Sequence, residues 1–137
     1  VAGRIWVIGG RSGSADFGEV DIYDQRNDQW TAGPAIDPRG THGAVFYRGA
    51  IWVFGGESQA RNASLDSVLR LDPAIGTWQA AGGMPTARNY ARAVILNDAV
   101  YVAGGSPVAG YSHSSTGSAV VERFSARSPS GAVARCP

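Results

Sequence analysis

Two arginines carry the clearest positional signal for chemistry in this chain. Arg39 stands sixteen residues ahead of Gly55, Arg88 stands sixteen ahead of Gly104, and each of those glycines opens a Gly-Gly pair. An arginine presents a planar fork of donors that suits a carboxylate and can also hold loop carbonyls. A partner-binding role and a structural role are therefore both open at these two positions. Polar segments follow two of the glycine pairs: Glu57 to Asp66, with Glu57, Arg61 and Asn62, and Ser106 to Ser118, with Tyr111 and His113. Such an aromatic and polar mixture suits an adaptable contact surface, and it equally suits an ordinary solvated loop. His42 begins an apolar run beside small residues and reads as a hydrogen-bonded core histidine rather than a ligand.

Other chemistries find little support. There is no Ser-His-Asp grouping, phosphate loop or zinc-like Cys/His spacing, and Cys136 is the single cysteine, so no cofactor, metal or internal disulfide is expected. A formal net charge of +1 gives no reason to expect nucleic acid as a partner. No apolar stretch approaches the roughly 18 residues that would suggest a membrane-spanning helix. All twelve basic residues are arginine, a bias that a genome rich in G and C explains as well as selection for carboxylate binding. Asn62-Ala63-Ser64 fits the short glycosylation acceptor pattern. Localisation is left open, since a chain without disulfides suits oxidising and reducing compartments alike.

The elements that must position these residues follow from a repeat. The runs Ile5-Trp6-Val7-Ile8, Ile51-Trp52-Val53-Phe54 and Val100-Tyr101-Val102-Ala103 each end in a glycine pair, at intervals of 46 and 49 residues. A period in this range, carried by strand-like segments, points to propeller blades. In the middle unit, His42–Tyr47 and Ala50–Gly55 form a hairpin around Arg48-Gly49. Ser67–Leu71 alternates as a third strand, Asp72–Gly76 has turn chemistry, and Thr77–Ala80 makes a short outer strand. The hairpin repeats at Tyr90–Leu96 and Ala99–Gly104 around Asn97-Asp98. Glycine and proline interrupt every window long enough for a helix, so the class is all-β.

A glycine pair, then an aromatic, then tryptophan seven residues later, then Pro and Arg before the next hairpin: this resembles the kelch repeat. The carriers are Gly9-Gly10, Tyr23, Trp30 and Arg39, then Gly55-Gly56, Leu71, Trp78, Pro85 and Arg88, then Gly104-Gly105 and Phe124. The resemblance implies an all-β, partial kelch-type β-propeller made of four-stranded antiparallel blades. It implies a protein-interaction module whose rim loops bind a protein or peptide, with Arg39 and Arg88 near the channel mouth receiving acidic side chains. Glu57, Arg61, Asn62, Tyr111 and His113 would supply the other contacts. The alternative within the same resemblance is a fragment of a carbohydrate-active enzyme, similar to sialic-acid mutarotases or galactose oxidases. For the copper kind, Cys136 lies outside the repeats and His42 and His113 have no expected convergence.

One domain is expected across residues 1–137: a blade at 1–37 without its inner strand, a complete blade at 38–84, a blade at 85–124 without its outer strand, and an irregular tail at 125–137. Seven residues after Phe124, where the repeat expects tryptophan, stands Gly131. The chain reads as a piece cut from a longer protein. An open wedge would leave an apolar sheet face at each end, so self-association is expected of the isolated chain.

Overall fold

The computed structural model describes residues 1–110, 116–126 and 133–136, with thirteen strands and no α-helix among them. Strands β1 (Arg4–Ser12), β2 (Ala15–Asp24) and β3 (Gln29–Ala32) form a first antiparallel sheet in that order. Strands β4 (Gly43–Tyr47) and β5 (Ala50–Phe54) lead the second sheet, β6 (Glu57–Ser58) and β7 (Ala63–Ser64) form a small separate ribbon, and β8 (Ser67–Asp72) and β9 (Thr77–Gly83) complete the second sheet. Its order is β4-β5-β8-β9. Strands β10 (Arg92–Leu96), β11 (Ala99–Ala103), β12 (Val121–Phe124) and β13 (Val133–Arg135) make the third, also in simple order. Three antiparallel sheets of one plan, stacked in chain order, make a partial β-propeller.

The hairpin turns explain the matching register. Arg48 and Gly49 have φ of 49° and 78°, and Asn97 and Asp98 have 47° and 55°. Two consecutive positive φ angles make the tight turn whose twist matches that of paired strands. Ala2 and Gly3, at 50° and 75°, repeat it ahead of β1. The Asp72 turn is closed by Ile75 and Gly76 N–H groups donating to Asp72 O at 3.1 and 2.9 Å.

The glycine pairs are required by close approach. Gly55 and Gly56 have φ of 60° and 103°, and a Cβ on Gly55 would stand 2.5 Å from Arg88 O. On Gly56 it would stand 2.7 Å from Gly40 O. The backbones of the segments before β4 and before β10 thus lie directly against the end of β5, and only glycine leaves room.

The core lies between the sheets. Trp52 and Phe54 on β5 pack against Val100 and Val102 on β11 and Phe124 on β12, with the Phe124 ring 4.6 Å from Trp52 and 5.4 Å from Phe54. Trp52 Nε1 donates to Tyr47 O at 2.9 Å, and Trp78 Nε1 reaches back to Pro34 O at 2.8 Å, tying the second blade to the exit of the first. These two indoles find acceptors at the blade edges, whereas the buried Nε1 of Trp6 has none.

The structure differs from expectation in three places. Residues 133–135 pair with β12, Glu122 opposite Arg135 and Phe124 opposite Val133, so the third sheet has a fourth strand where an irregular tail was expected. A three-residue edge strand without the tryptophan leaves too little pattern to read. The stretch from Glu57 to Asp66 holds the β6–β7 ribbon rather than loop alone. In the first unit β1 and β2 run on through Gly9-Gly10 to a two-residue turn, with a register shift between Ile8 and Gly10.

Candidate partner-binding face

At the end of the sheets where the glycine pairs lie, the residue that follows each pair turns toward the same place. These residues are Arg11, Glu57 and Ser106. Glu57 and Gly40 exchange backbone bonds at 2.9 and 3.1 Å, and Ser106 and Asn89 do the same at 2.9 Å each way. The positions that follow the two register-matched arginines thereby hold the ends of the second and third blades in place.

Glu57 is the hub. It is 2% exposed. Its Oε2 lies 3.3 Å from Arg11 Nη1 and accepts from Asn89 Nδ2 at 3.3 Å, while Oε1 accepts from the Gly110 N–H at 2.9 Å. One carboxylate therefore joins all three blades. Arg11 Nε donates to Asp16 Oδ1 at 2.9 Å, and Asp16 Oδ2 accepts from the Gln59 N–H at 2.5 Å. Burial disfavours the Arg11 cation, yet hydrogen bonds to Asp16 and Glu57, with their charge, outweigh it and hold the guanidinium above its ordinary pKa. A cleft of about 410 Å³ opens here, lined by Arg11, Ser14, Glu57, Gln59, Asn62 and Tyr90 among others. A second, of about 530 Å³, adjoins it through Ser14 and Gln59.

Arg39 and Arg88 do not line this cleft. They are 2% and 0% exposed, so neither offers a fork to a partner. Arg39 donates through Nη1 to Gly55 O at 3.2 Å and Ser67 Oγ at 2.9 Å, through Nε to Asp37 O at 3.1 Å, and through Nη2 to Asp37 Oδ2 at 3.2 Å. Burial pulls its pKa down, against the charge of Asp37. Arg88 donates through Nη1 to Gly104 O and Val120 O, both at 2.9 Å, and through Nη2 to Glu122 Oε2 at 2.8 Å. Gly55 O and Gly104 O, at the glycine turns, accept from these guanidinium groups, while Val120 O also accepts from the Gly104 N–H at 3.0 Å; a buried carbonyl must be satisfied. Sixteen residues is the chain length that brings each arginine to its own blade's glycine carbonyl. The structural role weighed for them is the one they fill.

The remaining expected contacts divide. Arg61 and Asn62 are exposed at the tip of the ribbon, with both Asp37 carboxylate oxygens 3.0 and 3.1 Å from Arg61 Nη2. Tyr111 and His113 lie outside the described residues. His42 lies outside the cleft lining; its Nδ1 is buried without a hydrogen-bond partner, and burial, helped by the Arg39 charge, pushes its pKa down to about 4. Sequence reasoning missed Arg11, Asn89 and Tyr90, and offered the segment that holds Gln59 without singling that residue out. The position after each glycine pair and the position after each arginine were the available signals. Among the described residues, Glu57 is the carboxylate that lines the first cleft and Asp16 the one that lines the second, and both oxygens of each are engaged. Among the described residues, no group of three or more His, Cys, Asp or Glu is placed to hold a metal ion.

Known proteins carry the same pattern. The family model described as Kelch motif matches residues 1–35 and 38–85. Kelch-like protein 34 of Homo sapiens is 33% identical over 108 residues, covering 74% of this chain and 17% of that protein. Beta-scruin of Limulus polyphemus is 31% identical over 108 residues, 74% of this chain and 12% of its own length. The Rab9 effector protein with kelch motifs of Gallus gallus is 32% identical over 114 residues, 76% of this chain and 30% of its own length. The chain thus spans less than a third of each of these relatives. With the family model matching more than half of its residues, the chain belongs to the kelch-repeat family.

Proposed function

We propose that the face bearing the glycine pairs receives a protein or peptide partner, and that the chain acts as a kelch-repeat interaction module. The observation that carries this reading is the convergence of three blades on Glu57, which backs a polar cleft flanked by an exposed ribbon. Loops held on a rigid scaffold are the usual place for recognition. A relative named as a Rab9 effector accords with a protein partner.

Arg61 and Asn62 at the ribbon tip, with Gln59 and Tyr90, make the contacts, and Arg11 and Glu57 form the wall behind them. The cations nearby are already compensated: Arg11 by Asp16 and Glu57, Arg39 by Asp37 and Arg88 by Glu122. An acidic partner would meet chiefly Arg61, which it would share with Asp37. A polar segment docked by hydrogen bonds fits this face better than a strongly acidic one. The carbohydrate-active reading would need a free acid or base in the cleft, and Glu57, fully engaged, does not supply it.

The test screens the chain against a displayed peptide library and, in parallel, a glycan array. The expected result is a set of related peptides whose binding drops about tenfold or more in an Arg61→Ala, Asn62→Ala double variant, and stays unchanged in Gln79→Ala on an outer strand. Glycan binding without peptide binding, or peptide binding indifferent to the ribbon variant, overturns the reading.

A further inference from the structure

Two segments from different blades flank the first cleft, and each is fastened by one backbone N–H to a buried carboxylate. The Gln59 N–H, in the ribbon of the second blade, donates to Asp16 Oδ2 at 2.5 Å. The Gly110 N–H, in the 106–110 segment of the third blade, donates to Glu57 Oε1 at 2.9 Å. Both carboxylates then meet the same cation. Arg11 Nε donates to Asp16 Oδ1 at 2.9 Å, and Arg11 Nη1 lies 3.3 Å from Glu57 Oε2. The side chains of Asp16 and Glu57 are 5% and 2% exposed, and that of Arg11 is 20% exposed. One guanidinium from the first blade thus links the ribbon of the second to a segment of the third.

The chain also makes room for this cation. A Cβ on Gly40 would stand 3.1 Å from Arg11 Cβ, 3.2 Å from Arg11 Nε and 3.3 Å from Asp16 Oδ1, so glycine there lets the pair close up beside the backbone. At the matching position of the third blade stands Asn89, which donates through Nδ2 to Glu57 Oε2 at 3.3 Å. Buried ion pairs add little stability, because desolvation offsets their attraction, but they can fix orientation. What this set orients is two N–H groups at the edges of the cleft.

We propose that Arg11 is a positioning residue for recognition at this face. It holds the ribbon and the 106–110 segment at a fixed separation, so a partner meets a cleft already formed and is spared the cost of ordering two loops. The inference rests on the partner reading above and adds the residue that sets the shape of the site. Arg11 acts through Asp16 and Glu57: its Nε and Nη1 are committed to them and its Nη2 is buried.

Hydrogen exchange at single amides tests the clamp without any partner, and titration with a ribbon-dependent peptide tests its consequence. In Arg11→Met the Gln59 and Gly110 amides should exchange about tenfold faster or more relative to amides of β11. Peptide affinity should fall by about the same factor. Adding Asp16→Asn and Glu57→Gln should restore much of both, because amide oxygens still accept the two N–H bonds and no buried charge is left unpaired. A residue that served stability alone would shift all these amides together and leave the ratio to β11 unchanged. Should Arg11→Met unfold, Gly40→Ala supplies a milder displacement and should loosen the same two amides first. Unchanged exchange at either amide overturns the proposal. So does faster exchange with affinity intact, or a triple variant no better than Arg11→Met. A wild type that binds no peptide instead fails the partner reading; the recognition role of Arg11 falls with it, while the exchange ratio still shows whether the clamp exists.

Discussion

At the scale of single residues, the two arginines and the histidine between them decide how the interior tolerates charge. The Arg88–Glu122 pair is fully buried at 2.8 Å, and removing one partner of such a pair strands the other in a medium that cannot solvate it. Arg88→Met should cost about 3–5 kcal/mol in urea melts. The double variant with Glu122→Leu should recover much of that, because Leu69 fills the matching place in the second blade, though the Gly104 carbonyl loses the donor that Arg88 gave it. His42 predicts the pH response. Its pKa in the folded chain is lowered from 6.5 to about 4, so below pH 6.5 the unfolded chain binds the proton first. Stability is therefore fully present above the unfolded pKa and is lost as pH falls toward 4, by about 2–3 kcal/mol from this group. Thermal melts of the wild type and His42→Gln between neutral pH and pH 4 check this: the variant should show the shallower decline.

At the scale of elements, the blade is a set of strands whose ends are fastened by backbone contacts that tolerate no side chain. Gly49 and Gly55 separate the two costs of losing glycine. Gly49 has φ of 78° with open space around it, whereas Gly55 has φ of 60° and Arg88 O in the way of a Cβ. Gly49→Ala should cost about 1 kcal/mol, the price of a left-handed alanine, and Gly55→Ala about 3 kcal/mol or more, as backbone strain adds to the clash. Denaturant midpoints of the two variants measure the difference. These turns were legible in the sequence because glycine pairs and Asn-Asp or Arg-Gly dipeptides announce positive φ locally. Strand β13 was not legible, since three residues of Val-Ala-Arg acquire a partner only when β12 lies beside them.

At the scale of the whole molecule, stability is a sum over blades and the interfaces between them. The second blade is covered on both faces, the first on one. Hydrogen exchange should follow that order: amides of β2, a central strand of the first blade, should exchange sooner than those of β8, which holds the corresponding place in the second. Exchange measured at concentrations where the chain is monomeric checks the order, and equal protection of β2 and β8 would contradict it.

The spacing of glycine pairs, tryptophans and hairpin turns by itself determined the all-β class, the repeat and the register of one blade upon the next, because each of these is written in backbone requirements a few residues long. What those residues face was decided by the tertiary structure alone. Arg39 and Arg88 carry the same guanidinium whether they meet a partner or a neighbouring carbonyl, and only packing shows that the carbonyls of their own glycine turns claim them. The convergence of Arg11, Glu57, Asn89 and Gly110 is likewise invisible along the chain. Its members come from three blades, and it exists only once stacking has brought those blades' ends within hydrogen-bonding distance.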